Sequence, residues 1–237
     1  EMLARLGGEE GYLCVVSAIG RHAETDTAKV ASEDRLRDAV VAAGGSTARE
    51  SWNFPLRENT LALSKKRVVE HWNRVHDGRA MPTLEADLTR LIRTWRPEII
   101  ITHSERATSS ANQLTGELVR AAAKSAADTT LHTEQITHAD LQPWAVKKLL
   151  SICEVNEAGD VSVSAASLAL RLGRSAADYT AHARGVLRED TSPAPTLVEF
   201  RVLSHDVAAA EARRDFFSGL VLHPGGEARR RIGDIPP

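Results

Sequence analysis

The chain reads as an α/β protein built on a mostly parallel sheet, and three observations predict this. Two short apolar runs, Tyr12 to Ser17 and Glu98 to Thr102, show no polar alternation and suit strands covered on both faces. Between and after them come stretches with apolar residues at helical spacing. Glycine and proline fall where these elements need to stop. Helix, strand, loop and helix in that order give a three-layer, Rossmann-like arrangement with crossovers on the sheet faces.

Met2 to Leu6 reads as the end of a helix closed by Gly7 and Gly8, since glycine is the usual C-terminal stop. The strand at 12–17 leads into a polar loop at 20–31. Ser32 then caps a helix whose inner face carries Leu36, Val40 and Ala43 and which stops at Gly44-Gly45. Residues 50 to 56, Glu-Ser-Trp-Asn-Phe-Pro-Leu, suit a short strand entering a loop. Thr83 opens the clearest helix, with Leu84, Leu88, Leu91, Ile92 and Trp95 on one face, and Pro97 ends it. Ile99-Ile100-Ile101 marks the clearest strand, and a loop at 103–111 precedes an alanine-rich helix from Asn112 to Ala127.

The last third differs in character. Leu141 to Ser151 suits a strand or a short helix, and Glu154 to Ser164 a hairpin around Ala158-Gly159-Asp160. Ala165 to Leu187 reads as a helix interrupted by Gly173, and Val198 to Leu203 as a strand. The connector at 190–195 is too short to mark an independent domain, so 1–237 reads as one domain, with a core at about 1–150 and an extension at about 151–237.

Lys+Arg 30 against Asp+Glu 32 leave a net charge of −2, which draws in neither nucleic acid nor an anionic membrane. The basic run Arg229 to Arg231 reads as a solvated end. No apolar run approaches the roughly 20 residues of a membrane span. Cys14 and Cys153 lie in apolar stretches and read as free thiols, which suits a reducing cytoplasm. Open sheets bind ligands beyond the carboxyl ends of their strands, here the loops at 18–31, 55–60 and 103–111.

The order of these pieces resembles the LmbE/PIG-L family. The resemblance rests on Met2 to Leu6, the strand at 12–17 ending near Gly20, and Trp52-Asn53-Phe54-Pro55-Leu56. It continues in Arg96-Pro97-Glu98-Ile99-Ile100-Ile101-Thr102-His103, Gly116, and the segment Gln142 to Leu149. It implies a metallohydrolase removing the acetyl group from an N-acetylated amino sugar or related amide. Such chemistry uses a zinc held by two His and one Asp, whose bound water is deprotonated by a neighbouring carboxylate.

The family's His-Pro-Asp-Asp motif, on a first strand ahead of the residue that is Glu1 here, has no match in this chain. Counted back from Gly116, its His-x-x-His positions fall on Ser109 and Asn112, and the Arg-Arg-x-Glu word is replaced by Ser32, Glu33, Asp34 and Arg35. The resemblance therefore implies zinc for the family but no zinc-ligand set in these residues. It leaves two readings, a deacetylase completed elsewhere or a non-catalytic relative that binds a ligand or acts as a partner subunit. A missing first strand would leave the strands at 12–17 and 98–102 with open edges for a partner or a second copy.

No residue is assigned a catalytic role. The pocket candidates are Trp52, His103, Ser109 and Asn112, with core packing the competing role for Trp52 and helix capping for Asn112. His71 and His76 are five apart, a spacing unsuited to a helical metal pair, and His132 and His138 read as surface residues.

Overall fold

A computed structural model describes residues 1–19, 26–51, 54, 63–154, 157–187 and 195–220, without the side chains of 26–33 and 50–51. The chain begins with a π-helical turn at Leu3–Glu9, followed by β1 (Val15–Ile19), α1 (Asp26–Ala42) and β2 (Thr47–Ser51). Next come α2 (Lys65–Asn73), α3 (Ala80–Trp95), β3 (Ile99–His103), α4 (Ser110–Ala127) and α5 (Thr133–Thr137). The remainder comprises β4 (Lys148–Ile152), β5 (Val161–Ser164), β6 (Leu168–Ala169), β7 (Arg174–Ser175), α6 (Ala176–Leu187), β8 (Leu197–His205) and α7 (Ala209–Ala212). The fold is mixed α/β, and its described residues fall into two compact, discontinuous units.

The first unit draws on Glu1–Arg57 and Val163–Val198. Here β1 and β2 pair in parallel, Val15 opposite Thr47 and Ile19 opposite Ser51. Ala39 of α1 and Ala43 just after it pack against Ala183 of α6, with Leu3, Val186 and Leu187 around them, and Leu36 and Val40 are buried as their spacing implies. The opening helix does not stop at Gly7-Gly8. It runs to Glu9, and Gly7 serves a close approach, since a Cβ there would lie 2.0 Å from the Gly44 carbonyl oxygen. Ser32 lies inside α1, which starts at Asp26.

The stretch Ala165 to Leu187 is helical only from Ala176. Before that, β6 and β7 form an antiparallel hairpin, and Gly173 at φ +66 serves the turn. Glu9 anchors this hairpin by accepting from the Arg171 and Leu172 main-chain amides at 2.9 and 3.3 Å. Cys14 is half-buried, and burial together with Glu10 pushes its thiol up to about 11. Cys153, also half-buried and free, is raised by the same desolvation.

The second unit draws on Glu58–Ser162 and Glu199–Leu220. Its sheet runs β3-β4-β8-β5, with β3 parallel to β4 and β4 antiparallel to β8. The expected hairpin at 154–164 is absent, because β8 inserts between β4 and β5. Among the described residues β3 is the last strand of this sheet, as β1 is bounded on one side in its own. Thr83 lies within α3 rather than at its start, and Trp95, expected on the inner face, is 45% exposed. Leu84, Leu88, Leu91 and Ile92 are buried as expected, and Arg96 ends the helix in a left-handed conformation.

Two buried cations organise this unit. Arg93 is wholly buried and donates to the carbonyls of Ser125, Ala126, Asp128, Leu131 and His132 and to Gln135 Oε1. Lys148 is equally buried, and its Nζ donates to the Glu211 and Asp215 carbonyls at 3.2 and 2.9 Å. It thereby holds the segment after β8 against β4, where Phe216 meets Phe200 edge-on at 5.1 Å. Among the described residues no helix is long and apolar enough to cross a membrane.

Candidate functional site

The carboxyl ends of the parallel strands β3 and β4 lie side by side, with His103 in register with Ile152. Helix α4 follows β3 through the loop 104–109 and returns against it. Its close approach is set by Gly116, where a Cβ would sit 2.4 Å from the His103 carbonyl oxygen. Asn112 and Ser109 precede Gly116 by four and seven residues, so they share its helical face one and two turns nearer the N-terminus. That spacing carries Asn112 and Ser109 past the end of β3, where His103 stands.

Asn112 does not cap α4, as its residue type suggested. Ser109 holds the N-cap position with extended backbone, and Asn112 lies one turn inside. The Ser109 hydroxyl does not cap either, although the residue is only 7% exposed. Its main-chain carbonyl accepts from the Gln113 amide at 3.0 Å, which leaves the side chain out of the helix's own bonding. Among the described residues neither the Ser109 hydroxyl nor the Asn112 carboxamide has a hydrogen-bond partner.

His103 is exposed at its outer edge, and desolvation of its inner side lowers its pKa from 6.5, with Glu154 pulling the other way. A depressed folded-state value for a base favours the neutral ring. Its contribution to stability is present above the unfolded value of 6.5 and is lost as pH falls through the folded one. An NMR titration should therefore place the His103 midpoint below 6.5, and Glu154→Gln should lower it further. A midpoint above 6.5, or an upward move in the variant, contradicts this environment.

Glu154, Thr108, Arg106 and Glu157 also belong to this end of the sheet. Thr108 Oγ1 donates to Glu154 Oε2 at 3.3 Å, and Arg106 reaches Glu157 at 3.6 Å. Sequence reasoning missed them, although Glu154 follows a strand parallel to β3 and the strand-end rule applies to it equally. Of the expected candidates, His103, Ser109 and Asn112 come to one end of the sheet. Trp52 lies outside the described residues, and Phe54, 2% exposed, belongs to the core.

A zinc site held by two His and one Asp does not fit these residues. The site presents one imidazole, the carboxylates of Glu154, engaged by Thr108, and of Glu157, engaged by Arg106 and Arg201, a hydroxyl and a carboxamide, and hydroxyl and amide oxygens are poor zinc ligands. Among the described residues no three His, Cys, Asp or Glu side chains cluster closely enough to hold a metal.

No family model matches the chain. No curated protein matches it either. Among solved structures it is similar to the conserved protein TT1542 from Thermus thermophilus, at 15% identity and a TM-score of 0.50, over 79% of this chain and 70% of that one. Similarity at this identity speaks for the α/β fold alone.

Proposed function

We propose that this chain is a small-molecule-binding α/β domain of the LmbE/PIG-L type, which recognises an N-acetylated amino sugar or related amide at the end of β3. The reading rests on His103, Ser109 and Asn112, three polar side chains carried to one strand end, the latter two without a partner among the described residues. A hydroxyl and a carboxamide that make no hydrogen bonds among the described residues are free to bond a ligand. A neutral imidazole, a hydroxyl and a carboxamide each offer both a donor and an acceptor, which matches the N–H and C=O of an N-acetyl group. The first-turn amides of α4 point the same way, toward a carbonyl oxygen.

Binding in this reading needs no zinc drawn from the described residues. Calorimetric titration of N-acetylglucosamine in the presence of a chelator tests it. Saturable binding is expected, weakened about tenfold or more in Ser109→Ala/Asn112→Ala, as two lost hydrogen bonds imply. Binding that appears only with added zinc, accompanied by release of acetate, would instead favour a deacetylase completed by residues elsewhere.

A further inference from the structure

We propose that Thr102 and Ser151 bind one water molecule between their hydroxyls, an internal brace across the carboxyl ends of β3 and β4. The site holds or fails apart from the binding reading above, because it lies on the sheet face opposite the His103 side chain.

Thr102 and Ser151 are register partners in the parallel pair β3–β4, so their side chains leave the same face of the sheet. The next pair, His103 and Ile152, points to the other face. The polar row continues onto β8 with Arg201, the partner of Ser151. The preceding row on the same face, Ile100 and Leu149, is apolar. Both hydroxyls lie inside the protein, Thr102 being 6% and Ser151 2% exposed. Thr102 Oγ1 is buried without a hydrogen-bond partner, and among the described residues the Ser151 hydroxyl makes no hydrogen bond. Arg201 is turned instead to Glu157 at 2.8 Å and to the Ala158 carbonyl at 3.2 Å.

Buried hydroxyls are costly when unmet, and proteins meet them with other groups or with ordered water. Here the geometry suits a single bridging oxygen. Neighbouring strands lie about 4.8 Å apart, and the two hydroxyls do not bond each other. An oxygen about 2.8 Å from each hydroxyl spans a separation of that size. Water is the occupant that fits, since Thr102 Oγ1 is sealed from the surface and a larger ligand cannot reach it. With two donors and two acceptors, water also satisfies both hydroxyls whichever way each turns. Joined through it, β3 and β4 are tied one residue before each strand stops.

Thr102→Val keeps the shape of the side chain and removes its hydroxyl, and the sign of its effect decides the matter. An unmet hydroxyl replaced by a methyl group raises stability, whereas the loss of an anchor for a bound water lowers it. Urea unfolding should show the folding equilibrium constant falling about fivefold in Thr102→Val, and by a similar factor in Ser151→Ala. The double variant should fall by no more than about tenfold, because its second change removes an anchor whose water has already gone. Oxygen-17 relaxation dispersion, which counts long-lived internal waters, should register one fewer in Thr102→Val than in wild type. Equal or higher stability of Thr102→Val overturns the proposal. An unchanged count of long-lived waters overturns it too, as do independent costs that multiply to about 25-fold in the double variant. Should Thr102→Val fail to fold, the water count in Ser151→Ala decides in the same way.

Discussion

Replacing Arg93 by alanine should destabilise the protein by about 4 kcal/mol, a large part of the roughly 5–15 kcal/mol that holds a typical domain together. The guanidinium donates to carbonyls that close the C-terminal end of α4 and the turn beyond it, Ser125, Ala126, Asp128, Leu131 and His132. Helix ends leave their last carbonyls without intrahelical donors, and a positive charge there is also favoured by the negative end of the helix dipole. Arg93 is wholly buried, so water cannot take its place without opening the packing between α3 and α4. Lysine keeps the charge but offers three donors from one point in place of a planar fork, so Arg93→Lys should lose about half as much. Urea unfolding of both variants measures this. A loss below about 1 kcal/mol for Arg93→Ala would mean that the carbonyls find other donors.

Gly116→Ala is the second large effect, and here two terms oppose each other. Alanine gains about 1 kcal/mol of helix propensity over glycine. Against that, its Cβ would stand 2.4 Å from the His103 carbonyl oxygen, a main-chain atom that cannot rotate away. Forcing α4 off β3 should cost about 3 kcal/mol, at the upper end of overpacking costs, so the net loss is about 2 kcal/mol. Because Gly116 sets how Asn112 and Ser109 stand to His103, binding of N-acetylglucosamine should weaken as well. A variant that is more stable than wild type would show that the helix does not approach the strand end so closely.

The parts of the fold legible in the sequence were those whose signal is local. The apolar stripe Leu84 to Ile92 buries as its spacing implies, and Ile99-Ile100-Ile101 after Pro97 forms a strand. The hairpin at 168–175 carries a helical signal in sequence, because alanine, leucine and arginine favour helices. Its leucines alternate nonetheless, with Leu168 and Leu170 63% and 81% exposed. The place of β5 could not be read locally, since its neighbour β8 comes from more than thirty residues later in the chain. At the site, the strand-end rule found His103, and Gly116 led through the family resemblance to Ser109 and Asn112. Glu154 and Thr108 escaped because their meeting depends on β4 lying beside β3, a long-range pairing that no local pattern records.

N-acetylated ligands are proposed to bind at the end of β3 through His103, Ser109 and Asn112. The most direct test is an NMR titration of the protein with N-acetylglucosamine in the presence of a chelator. Saturable shifts are expected, concentrated at the amides of His103, Ser109, Ser110, Ala111 and Asn112, with the side-chain amide of Asn112 among them. No saturable shift at these groups, or shifts confined to residues remote from α4 and β3, would contradict it.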